Sequence, residues 1–267
     1  MSSAPAPLYA AADVHGHRAE FQDALREAGL ADAHGHWSGG RARLWLLGDY
    51  VDRGPDGIGV IEDIRRLAAQ ARDEGGRVGA LLGNHEVQLL AAHRFGAAPV
   101  PGWEQPGGFH GGWARFGGRG TDLRRLTPSH RQWLSGLPAA ALVDGHLLLH
   151  ADTTQYLELG TSVAAVNAAA ARVLTGEHPG AWLEFSRRMS SRGAFRNARP
   201  GDPRDPVALV LDALGGTLLV HGHSTLTGHF GIPPQEVREP LRYAGGRVVA
   251  IDGGVYEGGR ILLTRLL

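Results

Sequence analysis

Five short polar clusters stand out along the chain: Asp13-Val14-His15-Gly16-His17, Gly48-Asp49-Tyr50-Val51-Asp52-Arg53-Gly54, Gly83-Asn84-His85-Glu86, His150-Ala151-Asp152 and His221-Gly222-His223-Ser224. They offer carboxylates, imidazoles, one amide and a guanidinium, with no thiolate. That donor set suits Mn, Fe, Zn or Mg rather than a soft-metal site. Asp13 and His15, two residues apart on extended backbone, would point to the same side. Asp49 has two oxygens and could bridge two cations. Asn84 offers a neutral carbonyl oxygen, and His150 and His223 offer imidazole nitrogens. Two ions about 3.5–4 Å apart can clamp the attacking and leaving oxygens of a phosphoryl transfer.

Composition narrows the alternatives. The 267 residues contain no cysteine and no lysine, so all 27 basic residues are arginine. A cysteine nucleophile, a thiolate zinc site, a disulfide framework, a Schiff-base lysine and a P-loop lysine are all excluded. The 14 histidines are a large supply of imidazole, and 40 glycines without a G-X-Y period point to many tight turns. Acids and arginines balance to zero net charge, and no basic run stands out, so nucleic acid is not an expected partner. Met1 to Pro7 lacks a charged segment followed by an apolar one, so no secretory leader is expected. No uncharged apolar stretch reaches a membrane-spanning length. Cytoplasm is the default location.

The elements that must position the clusters can be read from the apolar spacing. Strands are expected over Leu8–Val14, Leu44–Leu47, Val78–Leu82, Thr217–Val220 and Arg247–Asp252. A hairpin, Ala139–Val143 with His146–Leu149, turns at Asp144-Gly145. Helices are expected over Arg18–Gly29, Gly57–Glu74, Asn84 to about His93, Thr127–Leu134, Ser162–Leu174 and Leu209–Leu214. Residues 176–206 read as polar loop. Alternating strand, loop and helix makes a layered α/β chain of residues 1–267. Residues 95–122 carry nine glycines and five large aromatics, which reads as an insertion or cap. There Trp103, Phe109 and Trp113 could stack on a base or a tyrosine ring. Each polar cluster alone also fits a turn, a helix cap or a buried histidine. Their shared context, each just after a short apolar strand, is what carries weight, because strand carboxyl ends border the ligand crevice in α/β sheets.

In this order the clusters resemble the calcineurin-like metallophosphoesterases. Asp52-Arg53-Gly54 and Glu86 mark the phosphoprotein-phosphatase branch, with its bacterial phosphatases and diadenosine-tetraphosphate hydrolases. The stretches WLSGLP and AIDGGVYEGGR are similar to those of the Shewanella-like phosphatases. The resemblance implies a central β-sandwich of mixed sheets flanked by helices, and two divalent ions, Mn²⁺ foremost with Fe, Zn or Mg as alternatives. It makes Asp13 and His15 terminal ligands of one ion, Asp49 the bridge, and Asn84, His150 and His223 ligands of the other. His85 becomes the proton donor to the leaving oxygen, Asp52 its orienting acid and Arg53 a phosphate clamp. A second phosphate-binding arginine is expected at Arg192, with Arg187, Arg188 and Arg196 as alternatives. Tyr256 is similar to a tyrosine at the family's site mouth. Asp152 stands where the family usually has glycine; it is either a partner behind the ligands or a selector against anionic substrates. His221 precedes the ligand position and could touch the site, and His17 is either a loop residue or a substrate contact.

The implied activity is hydrolysis of a phosphomonoester by direct attack of a hydroxide held by two metals. The substrate would be a phosphorylated protein or small molecule. A dinucleoside-polyphosphate hydrolase and a biosynthetic small-molecule phosphatase are alternatives. An inactive phosphate-binding module would be expected to lack His85 or Arg53, and both are present.

Overall fold

Residues 5–267 are described by a computed structural model. Strands β1 (Leu8–Ala11), β2 (Arg43–Leu46) and β3 (Arg77–Ala80) form one parallel set, in the order β3-β2-β1. The short β9 (Thr264–Arg265) closes the edge beside β1, antiparallel. The second sheet runs β4-β5-β6-β8-β7, from β4 (Ala140–Val143), β5 (His146–Leu149), β6 (Leu218–His221), β7 (Leu241–Tyr243) and β8 (Val248–Ala250). Its central three strands are parallel and its outer two antiparallel. Both sheets are therefore mixed.

Side-chain alternation explains how they stack. Leu8, Ala10, Trp45 and Leu47 of the first sheet meet Ala141, Leu148, Val220 and Val249 of the second in one buried layer. The residues between them, among them Ala11, Leu44, Leu46, Leu147, Leu149 and Leu219, face outward into a larger core shared with the helices. Strands buried on both faces must be apolar at every position, which is why LWLL and LLL read as unbroken runs. On the outer faces lie α1 (Arg18–Glu27), α2 (Gly57–Asp73), α3 (Asn84–Phe95), α6 (Pro128–Ser135), α7 (Val163–Thr175), α8 (Pro179–Met189) and α9 (Pro206–Leu214). In α2, Asp56 caps the first turn by accepting from Gly59 N at 2.9 Å, and Ile58, Ile61, Ile64 and Leu67 form its buried stripe. Arg18 of α1 forks onto Asp63 of α2 at 2.8 and 2.9 Å, which locks the two helices together.

Three sequence expectations need correction. The first strand stops at Ala11, not Val14, because Asp13 and His15 take left-handed φ of 54° and 46° that no strand can hold. Residues 176–206 are not all loop: α8 buries Trp182, Leu183, Phe185 and Met189 at helical spacing under a polar outer face. Residues 95–122, read as an insertion or cap with aromatics free to stack, lie against the body of the fold. They form α4 (Gly108–Arg115) and the start of α5 (Gly120–Arg125), with α4 packed on α3. Phe109 and Trp113 are 4% and 2% exposed, so neither face is free to stack on a substrate. Trp103 packs against Phe109 at 5.3 Å, and Phe116 is the one aromatic of the segment left largely exposed. Among the described residues no helix is long and apolar enough to cross a membrane.

Candidate active site

The carboxyl ends of β1, β2, β3, β5, β6 and β8 all deliver polar residues to one place. Hydrogen bonds stitch the two sheets together there. His150 Nδ1, after β5, donates to Leu47 O after β2 at 2.8 Å. His223 N, after β6, donates to Asp13 Oδ2 after β1 at 2.8 Å. His85 N at the head of α3 donates to Asp49 Oδ1 at 3.0 Å. Room for this is made by Gly83, where a Cβ would fall 2.3 Å from Asp49 Oδ1.

The backbone is bent sharply to make these contacts. Among the described residues eight non-glycines have positive φ, and six of them are Asp13, His15, Asp49, Asp52, Arg53 and His223. The other two, Asp144 and Ala244, sit in the hairpin turns of the second sheet. Such conformations cost roughly 1–3 kcal/mol each and persist only where the surroundings over-determine them. Their concentration at one sheet edge marks a functional constraint.

Two groups of ligand-type atoms form, each within 4.8 Å: Asp13, Asp49, His150 and His223, and then His15, Asp49 and His85. Asp49 belongs to both. Asn84 joins the first group, its Oδ1 2.9 Å from His150 Nε2. Each histidine spends one nitrogen on a backbone carbonyl: His15 Nδ1 on Val51 O, His150 Nδ1 on Leu47 O and His223 Nε2 on Ser190 O. That fixes the ring and leaves the other nitrogen's lone pair facing the carboxylates, the usual arrangement behind metal-binding imidazoles. Burial, reinforced by neighbouring imidazoles, holds His15 and His223 well below the ordinary histidine range, and burial lowers His150 too. All three stay neutral. Burial, with Asp252 and Asp49 nearby, pushes the Asp13 carboxyl well up. Asp13 Oδ1 is buried without a hydrogen-bond partner. Burial also raises Asp49, but His150, His85, His15 and His223 around it outweigh that and hold it below the usual carboxylate range.

Beside the two groups lies a proton-handling pair. His85 Nδ1 meets Asp52 Oδ2 at 2.8 Å, with both side chains buried. Burial alone would lower His85, yet Asp49 and Asp52 win and raise it. Arg53 extends past them, its guanidinium 3.4 Å from His85 Nε2 and 3.7 Å above the Tyr256 ring. Tyr256 also meets His15 edge-on, with ring centroids 5.1 Å apart. On the far side Arg192 contacts His229 at 2.6 Å, and its charge helps lower His150 and His223. Arg188 is taken up by Glu158 and Glu184, Arg196 lies over Phe230, and Arg187 is exposed on α8.

The residues left open by the sequence have the following surroundings. Asp152 is fully buried and spends both oxygens, on Ser224 Oγ at 2.6 Å and Gly193 N at 2.8 Å. It ties the Arg192 loop to the His223 strand end and presents no free charge to a substrate. His221 points away: its Nε2 accepts from Tyr243 Oη at 2.8 Å and its Nδ1 donates to Gly222 O. Tyr243→Phe should therefore cost about 1–3 kcal/mol, the penalty for a buried unpaired nitrogen. Thermal melts should show that loss while turnover stays within about twofold. His17 stands at the entry to α1, 3.4 Å from Glu20, as a loop residue.

Three residues are structurally prominent in ways the sequence reading does not anticipate. Glu86 accepts from Asp49 N, Tyr50 N and Gly83 N. Asp252 after β8 is buried beside Asp13 and Asp49, and burial pushes it up to about 7. Trp113 donates to Asp52. Asp252 carries the same signal as the five clusters, an acid and glycines after a short apolar strand, and could have been found that way.

The family model for calcineurin-like phosphoesterases matches residues 6–227, which contain all five clusters. The chain belongs to that family. The chain is similar to "Shewanella-like protein phosphatase 2" of Arabidopsis thaliana, 32% identical over 86 residues, or 32% of this chain and 22% of that protein. The symmetrical bis(5'-nucleosyl)-tetraphosphatase of Chromohalobacter salexigens is 36% identical over 89 residues, covering 33% of this chain and 28% of that enzyme. The shared stretches thus span well under two thirds of either relative. Among solved structures, the cold-active protein-tyrosine phosphatase of a psychrophilic Shewanella superposes with a TM-score of 0.69 at 19% identity. The overlap covers 97% of this chain and 75% of that one. At such identity the likeness speaks for the fold: two mixed sheets flanked by helices.

Proposed function

We propose that the protein is a dinuclear-metal phosphatase that hydrolyses phosphomonoesters. One observation carries this reading: Asp49 is shared between two clusters of imidazoles and carboxylates, with Asp52 and Arg53 at their edge beside His85. Asp13, His15, Asp49, Asn84, His150 and His223 would hold two divalent cations. They fit that task, because buried carboxylates crowd together, Asp13 Oδ1 lacks a partner, and each ring is pre-oriented by a carbonyl. Nitrogen and oxygen donors without thiolate suit Mn, Fe, Zn or Mg rather than a soft metal, and the family resemblance puts Mn²⁺ foremost. When bound, the cations supply Lewis-acid charge and make water a competent nucleophile near neutral pH.

The chain's own residues do the rest. Arg53, braced by the Tyr256 ring, forks onto phosphate oxygens and offsets their growing charge. Arg192, beside His150 and His223, approaches from the other side. Asp52 accepts from His85 Nδ1 and favours the imidazolium form, from which Nε2 would release a proton as the ester P–O bond breaks. The bond's electron pair stays on the leaving oxygen, which takes that proton, and one water is consumed to give inorganic phosphate.

Two substrate classes follow from the relatives' names, phosphoprotein and dinucleoside polyphosphate. We take the phosphomonoester reading first, because the His85–Asp52 acid serves an alkoxide or phenoxide that must be protonated on leaving. Metal-stripped protein should hydrolyse p-nitrophenyl phosphate only after Mn²⁺ or another divalent ion is restored. Phosphotyrosine peptide, phosphoserine peptide and diadenosine tetraphosphate, compared on one preparation, then rank the classes by kcat/KM. Activity that survives exhaustive chelation sinks the metal-dependent reading. A higher kcat/KM for the dinucleotide replaces phosphomonoester with polyphosphate.

A further inference from the structure

Residues 108–122 wrap the loop that carries Asp52 and Arg53. Arg53 N donates to Gly117 O at 2.8 Å, and Arg119 Nε donates back to Arg53 O at 2.8 Å. Asp122 accepts from Asp52 N at 3.0 Å and from Gly57 N at 3.1 Å. At the centre of this clamp the indole N–H of Trp113 lies between the two carboxylate oxygens of Asp52, at 2.8 and 2.9 Å. Trp113 is 2% exposed and Asp52 fully buried, so no water substitutes for the contact. Gly118 is shaped to it: a Cβ there would fall 2.3 Å from the indole ring.

We propose that Trp113 is a positioning residue for the proton donor: it fixes the Asp52 carboxylate, which in turn aims His85 at the leaving oxygen. This rests on the phosphatase reading above. A carboxylate's terminal torsion is broad and only roughly two-fold, so one contact to His85 does not fix it. Indole is a donor and never an acceptor. It can therefore pin both oxygens of Asp52 without competing for the His85 N–H. Proton transfer needs the donor within about 2.6–3.2 Å of the leaving oxygen, so a loosened ring loses the transfer before it loses substrate binding. The consequence is selective. A leaving group that departs as a stable anion needs no proton and should not notice the change, whereas an alkoxide should.

The test is a leaving-group series with Mn²⁺-loaded Trp113→Phe, from 2,4-dinitrophenyl through p-nitrophenyl and phenyl phosphate to phosphoserine. Phenylalanine keeps a flat ring and removes the donor. We expect kcat to fall about 10–100-fold for phosphoserine, a part of the typical 10²–10⁴-fold contribution of general acid catalysis, and less than about threefold for the dinitrophenyl ester. KM should hold. His85→Asn should show the same slope, steeper. Added to Asp52→Asn, Trp113→Phe should cost nothing more, because its effect passes through that carboxylate. A second readout needs no metal: of six tryptophan indole N–H resonances, the one lost in Trp113→Phe should be the one moved by Asp52→Asn. If Trp113→Phe does not fold, Gly118→Ala displaces the indole while keeping it, and the same slope is expected. An equal loss across all esters, or an undiminished loss in the Asp52→Asn background, overturns the inference alone. A wild type that turns over no ester overturns the phosphatase reading and this inference with it, and a His85→Asn profile parallel to wild type removes the acid role from both.

Discussion

Asp49→Asn should abolish metal-dependent turnover while leaving the fold standing. Asp49 lies 3.6 Å from His15 Nε2 through one oxygen and 3.4 Å from His150 Nε2 through the other. It is the one residue common to both ligand groups. Asparagine matches its volume and still offers an oxygen to His85 N, but it cannot present two anionic oxygens to two cations. We expect kcat for p-nitrophenyl phosphate to fall by about 10³-fold or more, equivalent to about 4 kcal/mol of lost transition-state stabilisation. Metal-induced stabilisation should vanish as well. Wild type stripped of metal should gain about 2.7 kcal/mol when Mn²⁺ is raised to roughly 100 times its dissociation constant. In the variant that gain should drop below about 1 kcal/mol at the same concentration. The metal-free melting temperature should move by no more than about 3 °C. A variant that keeps both turnover and the metal-induced shift would remove Asp49 from the centre of the site.

What could be read from the sequence follows from where information is local. Strand-ending runs such as Leu44–Leu47 and the cluster after each lie within a few residues of each other, so both the strand and its polar tip are legible. The hairpin turn is legible for the same reason: Asp144 and Gly145 take φ of 47° and 80°, which an Asp-Gly pair tolerates. Pairing between distant segments is not local. Nothing in Leu241–Tyr243 or Thr264–Arg265 announces that these short pieces complete the two sheet edges. Helix α8 is hidden because four charged or hydroxyl residues break up its apolar stripe, and Pro179 at its start reads as a loop signal when it is an N-terminal helix residue. At the site, residue types were legible and conformations were not. Asp13 and His15 converge through a left-handed bend rather than an extended strand, a choice made by contacts to Gly48, Asp49 and His223 far along the chain. Trp113 shows the same limit in reverse. As an aromatic in a glycine-rich stretch it reads as a surface for ligands, yet its use is fixed by a carboxylate 61 residues away.

Glu86→Ala should be the most destabilising single change at the site. The Glu86 side chain is fully buried at the third position of α3 and accepts three backbone N–H groups: Asp49 N at 2.8 Å, Tyr50 N at 2.7 Å and Gly83 N at 2.9 Å. Every partner is a donor, so the site requires acceptor oxygens at both positions, even though burial and the nearby Asp49 charge raise the Glu86 carboxyl to about 8. Two of the three partners belong to the bend that holds Asp49 at a φ of 57°. Alanine would strand three buried N–H groups at roughly 1–3 kcal/mol each, and partial relaxation should leave a net loss of about 3–5 kcal/mol. For a chain of this size that is a drop of about 10 °C or more in melting temperature. Glu86→Gln separates hydrogen bonding from packing. It fills the same volume but turns an NH₂ toward donors, so it should still lose about 2 kcal/mol. If glutamine were neutral, the role of Glu86 would be space-filling. Because Asp49 depends on this anchor for its bend, both variants should also weaken metal-induced stabilisation in proportion to their loss of stability. The acid outside both ligand groups thereby sets the geometry of the one that belongs to both.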